Sequence, residues 1–367
     1  MTRSAEKPVG TSQDFLHLTQ LNAVRLLAVL AIGIGYASTM SVGLGQQEWG
    51  HHWGYDPSWY GIQVLFVISG WLAMRSLNLG KTPKQYLISR ACRTYPLLIL
   101  VTTIVVLILY PLFAAPEART WASVPKLARY FLETATLIRP SQPLPGLMEG
   151  AKYDCLVQGA IWTLRWGAVF HIAVALIWRF GILQRQHALL AGTIAAMIAY
   201  AVAIQYTVTS GTDILRPLVP GLKLGYAFGA GMTAYHLKNR LPQSGKLQLI
   251  ILIALACSAT AFAILTPQGS RHWTPSADIL GSMFWGYLAL LALQKRVAIF
   301  RNWPNLVLPT FLTLWPTAQV LLLLSPNIPT FALIVGSLAF SLSFAFGIAY
   351  LRTWRDHLFG EAAVKPT

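Results

Sequence analysis

Apolar residues in this chain run in blocks of about twenty, separated by short polar, basic or Pro/Gly-containing segments. A helix needs roughly 20 residues, at about 1.5 Å each, to cross a hydrocarbon layer of about 30 Å. Blocks of that length fall at 22–40, 58–78, 96–115, 159–179, 188–207, 214–236, 247–266, 276–294, 304–325 and 328–351. The pattern predicts an all-α polytopic membrane protein with about ten transmembrane helices. Pro217 and Pro220 interrupt the sixth block, and Pro304, Pro309 and Pro316 the ninth. Such breaks are tolerated where neighbouring helices or a cavity satisfy the freed carbonyls.

Composition agrees. Charged residues make up 11% of the 367 and apolar residues 55%, against about 25% charged in an ordinary soluble domain. Twelve acidic residues cannot cover a soluble surface of this size, so a water-soluble fold, disorder and a disulfide-stapled secreted domain are excluded. Cys92, Cys155 and Cys257 are scattered and have neither metal spacing nor a paired framework. No metal set, nucleotide loop or permanently bound cofactor is expected.

The net charge of +16 says which side each loop faces. With the N-terminus inside, seventeen Lys and Arg fall on the cytoplasmic side and six on the other, five of those six in the single long loop 116–158. Positive residues collect in cytoplasmic loops, and long loops obey that rule poorly. Both termini are therefore expected inside, and the basic charge needs no nucleic-acid partner. The expected organisation is a cytoplasmic tail over 1–21, a transmembrane domain over 22–352 and a cytoplasmic tail over 353–367. The polar N-terminal stretch lacks a signal-peptidase site before the first apolar block, so the first helix is expected to stay in the chain. Within loop 116–158, KLARYFLETATLI reads as an interfacial helix and PSQPLPGLMEG as a turn region over the outer mouth.

Five cations fall within or at the rim of the blocks: Arg25, Arg75, Arg165, Arg216 and Lys223. A charge near the bilayer centre costs about 2.5–3.5 kcal/mol even on the lenient insertion scale. Arg75 and Arg216 are close enough to block ends to snorkel, whereas Arg25, Arg165 and Lys223 lie deeper. All twelve carboxylates fall in loops, tails or at block edges. Cations without a carboxylate of matching depth point to an anionic ligand, such as a phosphate, pyrophosphate or lipid head group. The same distribution argues against a proton-coupled transporter, which needs an intramembrane acidic relay.

Three segments in order carry a resemblance. The first block reads LNAVRLLAVLAIGIGYAS, the second contains LFVISGWL, and YLISRACRTYPLLIL follows it. Together with GAIWTLRWGAVFH at 159–171, they resemble the membrane-bound acyltransferase-3 family, whose members O-acylate sugars of surface polysaccharides. The family's first helix carries an Arg and, eleven positions on, a His; here these are Arg25 and Tyr36. Its FFxxSGF-like segment is matched at 65–72 and includes Ser69 and Gly70. Its Arg-x-x-Arg-x-x-Pro run is matched by Arg90, Arg93 and Pro96.

What the resemblance implies is an acyl-CoA donor, acetyl-CoA for example, whose phosphates meet Arg25, Arg90 and Arg93 at the cytoplasmic face. The acceptor, a glycan or lipid-linked sugar, enters from outside. Ser69, Gly70, Trp162, Arg165 and Lys223 are further substrate-binding candidates, and Tyr36 occupies the position of the general base. From spacing alone, Arg90 and Arg93 also read as a stop-transfer cluster on anionic lipid, and Ser69–Gly70 as a helix-packing step. The location implied is a multi-pass protein of the cell membrane, the inner membrane of a bacterium.

Two departures bear on catalysis. Tyr36 replaces the His, and a phenol with an intrinsic pKa of about 10 is a poor base near neutral pH. Arg165, Trp166 and Gly167 stand where family members continue to a Glu. His171 is the imidazole available to substitute, although a lone membrane His is more often packed and hydrogen-bonded. His51 and His52 are adjacent in an aromatic outer segment that reads as an interfacial belt. Two other readings follow: a catalytically degenerate member that keeps the fold, and a transporter of an anionic lipid-linked glycan.

Overall fold

The computed structural model of the protein describes residues 20–43, 52–53, 56–149, 155–265, 275–294 and 304–359. It is 81% helical, with no strand among the described residues. Ten helices of spanning length run back and forth: α1 (Leu21–Val42), α2 (Pro57–Asn78) and α3 (Pro83–Ile104), the last prolonged by a wide turn at Val105–Leu109 and by α4 (Tyr110–Phe113). After the amphipathic α5 (Val124–Ala135) come α6 (Trp162–Arg179), α7 (Gln186–Ser210), α8 (Val219–His236) and α9 (Gly245–Leu265). The series closes with α10 (Pro275–Gln294), α11 (Val307–Leu324) and α12 (Thr330–Phe359).

Cross-links between connections fix the alternation. His236 at the end of α8 bonds the Leu183 carbonyl in the α6–α7 connection at 2.6 Å. Gln248 near the start of α9 donates to Gln294 at the end of α10 at 3.1 Å. These mark the end of the bundle that carries the basic connections, called here the basic end. At the opposite end, Ser41 near the close of α1 meets Thr330 at the start of α12 at 2.8 Å. The indole of Trp53 there donates to Thr260 of α9 at 3.0 Å.

Nine described helices are long and apolar enough to cross a membrane. The sixth predicted block is the exception in hydropathy, not in length. α8 carries Lys223, four glycines and two tyrosines among its 18 residues, and it is packed between α2 and α7. Its polar groups therefore face protein. Gly70 and Gly231 make the α2–α8 crossing possible: a Cβ on Gly70 would run into the Phe228 carbonyl, and one on Gly231 into the Val67 carbonyl. By contrast α9 has one buried residue, Ala259, and turns Leu249, Ile250, Ile253 and Phe262 outward, as a lipid-facing helix does.

The largest boundary difference is in α3. The apolar pattern starts the third span at 96, but the helix begins at Pro83, where Thr82 and Gln85 form a reciprocal capping box. Arg90 and Arg93 are consequently not in a loop before the span. They stand one turn apart in the helix itself, with Pro96 inside it. Across the opposite end, segments 114–149 and 155–161 fold over the bundle around a small core of Tyr110, Tyr130, Leu144, Leu147, Met148 and Val157. The Leu156 carbonyl accepts from Trp315 Nε1 at 2.7 Å and from Gln319 Nε2 at 3.1 Å, which ties the segment to α11.

Candidate functional site

Charge is handled differently at the two ends of the bundle. Near the basic end, Arg25 stands one turn into α1, half-buried, and Arg90 and Arg93 of α3 are the charges that bear on it. None of the three forms an ion pair among the described residues. A cavity of about 380 Å³ opens against Arg93, lined also by Cys92, Pro96 and Leu97 of α3, Leu308 and Pro309 of α11, Asn305 and a second arginine, Arg352. Like charges gathered in one place repel unless an anion joins them. The predicted trio of Arg25, Arg90 and Arg93 is thus brought together by the fold.

One residue beyond Pro309, a row of polar groups begins along α11. Thr310, Thr313 and Thr317 are all buried, at spacings that place them on one helix face. Thr313 bonds its own helix at the Pro309 carbonyl, 2.9 Å away. The Thr310 hydroxyl has no partner among the described residues, and neither has that of Tyr36 on α1. The Tyr36 ring meets the edge of Trp315 at 5.0 Å. Leu308 to Trp315 is about 10 Å along α11 at 1.5 Å per residue. The unpaired hydroxyls of Thr310 and Tyr36 mark a seam along α11 toward Trp315, and buried unpaired hydroxyls are uncommon enough to require an explanation.

The opposite end holds a polar network that is closed on itself. Lys223 Nζ and Asp278 Oδ1 are 2.9 Å apart, and both side chains are fully buried. The Tyr200 hydroxyl donates to Asp278 Oδ2 at 2.5 Å. Ser282 Oγ lies between Gln63 Oε1, the Tyr226 hydroxyl and the Asp278 carbonyl, and Gln63 Nε2 donates to Tyr226 at 3.0 Å. Lys223 also rests over the Trp59 ring at 4.4 Å, whose neighbour at 5.5 Å is Trp162.

This corrects part of the sequence reading. Lys223 does not wait for an external anion, because Asp278, placed by its sequence position at a block edge, is drawn inside as its counter-ion. Arg165 is exposed on α6 within a turn of the helix start, so it reaches the head-group region instead of the interior. Gly70 is occupied by its contact with α8 and has no room for substrate; Ser69 is half-buried beside it. Arg216 is likewise outside, in an exposed pair with Asp213 at 3.3 Å.

The two catalytic candidates are not brought together. Tyr36 lies four turns along α1, toward the opposite end, whereas His171 lies in α6 against Tyr86 of α3, with Nδ1 2.5 Å from the Tyr86 hydroxyl. Arg90 stacks over that Tyr86 ring at 5.3 Å. His171 is therefore a packed, hydrogen-bonded residue on the side of the basic end. His52 packs on Tyr60 at 4.8 Å and accepts from the Trp285 indole at 3.2 Å; His51 lies outside the described residues. No group of three His, Cys, Asp or Glu able to hold a metal occurs among the described residues. Sequence reasoning missed Asp278 and also Asp56, the N-cap of α2. An Asp-Pro pair opening an apolar block was the available signal for Asp56.

Among known proteins, the family model described as an acyltransferase domain matches residues 18–354, nearly the whole chain. No curated protein and no solved structure matches.

Proposed function

Because the chain belongs to the acyltransferase-3 family, we propose that it is a membrane O-acyltransferase working across the bilayer. It moves an acetyl or other short acyl group from acyl-CoA on the cytoplasmic side to a hydroxyl of a cell-surface or exopolysaccharide sugar outside, in a bacterial inner membrane. The observation that carries this reading is the cluster of Arg25, Arg90 and Arg93, without an ion pair among the described residues, whose Arg93 lines the 380 Å³ cavity together with Arg352. The donor's phosphates complete that cluster. Its amide-bearing arm follows the Thr310–Tyr36 seam and presents the thioester at the level of Trp315.

Measuring the affinity of the purified protein for labelled acetyl-CoA tests this. Binding is expected, and Arg93→Ala weakens it by about tenfold or more, the loss of one charge-assisted contact. Absence of binding, or affinity unchanged by both Arg25→Ala and Arg93→Ala, overturns the reading.

A second reading, a degenerate member that binds donor without turnover, is favoured by Tyr36, a buried phenol with no partner among the described residues. Introducing Tyr36→His with Gly167→Glu creates activity on that reading; a wild type as fast as the double variant excludes it. The transporter alternative loses its main support, since Lys223 already has a counter-ion and Arg165 is outside.

A further inference from the structure

Asp56 packs against Gly35, the chain neighbour of the position from which the family's histidine is missing. As N-cap of α2 its Oδ1 accepts the Ser58 N–H at 2.6 Å, and the residue is 6% exposed. Gly35 is what admits it: a Cβ there would collide with Asp56 Oδ1 and with Ser58, so the carboxyl group rests against α1 at Gly35. Its charge bears on Tyr36 on one side and on Lys223 on the other. A carboxylate offers about four lone-pair sites, and the cap uses one. The described histidines that bond within the bundle are committed elsewhere: His171 to Tyr86, His52 to Trp285 and His236 to Leu183.

We propose that Asp56 is the general base of the transfer, in place of the absent imidazole; this rests on the acyl-transfer reading above. The acceptor hydroxyl gives its proton to the Asp56 carboxylate as its oxygen attacks the thioester carbonyl carbon. The tetrahedral adduct then collapses and the C–S bond breaks. The departing thiolate takes the proton back from Asp56, leaving the ester, free CoA thiol and an ionised Asp56. Proton and charge balance without any further reactant. Tyr36 and Trp315 wall the place where the carbonyl arrives, and segment 155–161 above Trp315 keeps water from replacing the sugar.

The test follows CoA thiol release from acetyl-CoA by the full chain in detergent, with a panel of methyl glycosides as acceptors. Asp56→Asn keeps the cap, since Asn is as good an N-cap as Asp, and removes the base. A fall of about 100-fold or more is expected, with acetyl-CoA affinity and unfolding temperature as in wild type. Asp56→Gly, also an acceptable cap, leaves a space in which added formate restores part of the rate. Asp56→Asn releasing thiol within about threefold of wild type, or Asp56→Gly losing activity that formate does not restore, overturns the assignment. If Asp56→Asn is also less stable, the formate result decides. An inactive wild type overturns the acyl-transfer reading and this proposal together; an active wild type with an equally active Asp56→Asn overturns only the role of Asp56.

Discussion

The two ends of the bundle use the same residue types to opposite effect. Around Lys223 every charge is answered from within: Asp278 at 2.9 Å, Tyr200 on its second oxygen, and Ser282, Gln63 and Tyr226 closing the ring. Arg25, Arg90 and Arg93 form no ion pair among the described residues, and a cavity opens against Arg93 instead. A buried cation with an internal partner is part of the scaffold, and removing the partner is what costs. A cation cluster without one is incomplete until something binds. Depth of the charge along its helix, which is what a sequence shows, does not separate the cases; the identity of the nearest oxygen does.

The sharpest way to break the comparison is Asp278→Ala. It strands the Lys223 ammonium away from water and is expected to lower stability by about 3–5 kcal/mol, read from unfolding in detergent. Combining it with Lys223→Met recovers most of the loss, since both partners are then gone; no recovery means the pair is not coupled. At the α2–α8 crossing, Gly70→Ala forces the Phe228 backbone aside and costs about 1–3 kcal/mol. A loss confined to donor affinity would instead return Gly70 to the site.

At the basic end the order is reversed. Arg93→Ala weakens acetyl-CoA binding by about 1.5–3 kcal/mol, the value of a hydrogen bond to a charged group, while stability holds or rises because repulsion is relieved. Thermal melts with and without CoA separate these effects. The smallest effect belongs to Arg165→Ala. An exposed side chain away from any site changes stability by no more than about 0.5 kcal/mol, and donor affinity stays as in wild type. A large change in either would put Arg165 back inside the mechanism.

Much of the fold was legible because the bilayer leaves so few options. Blocks of about twenty apolar residues can satisfy their backbone only as helices, and nine of the predicted spans appear as apolar helices of that length. The start of α3 was misjudged by hydropathy, as Lys84, Gln85, Arg90 and Arg93 dilute its first three turns; the Thr82–Gln85 box was the better guide. Within the candidate site, the grouping of Arg25 with Arg90 and Arg93 follows from alternation, since each lies within a few turns of the same end. Lys223 with Asp278, and Asp56 with Gly35, join positions far apart in the chain through packing, which no local pattern encodes.

Sequence alone determined that this chain is an all-α polytopic membrane protein and that one end gathers arginines, because apolar length and the placement of basic loops are linear properties. Tertiary structure decided which buried charges are already neutralised, that His171 and Tyr36 are apart, and that a carboxylate lies against α1 at Gly35, the chain neighbour of the missing histidine's position. Those facts depend on which faces of α1, α2, α8, α10 and α11 meet. In a low-dielectric interior a few ångströms between a cation and an oxygen separate a structural pair from a binding site.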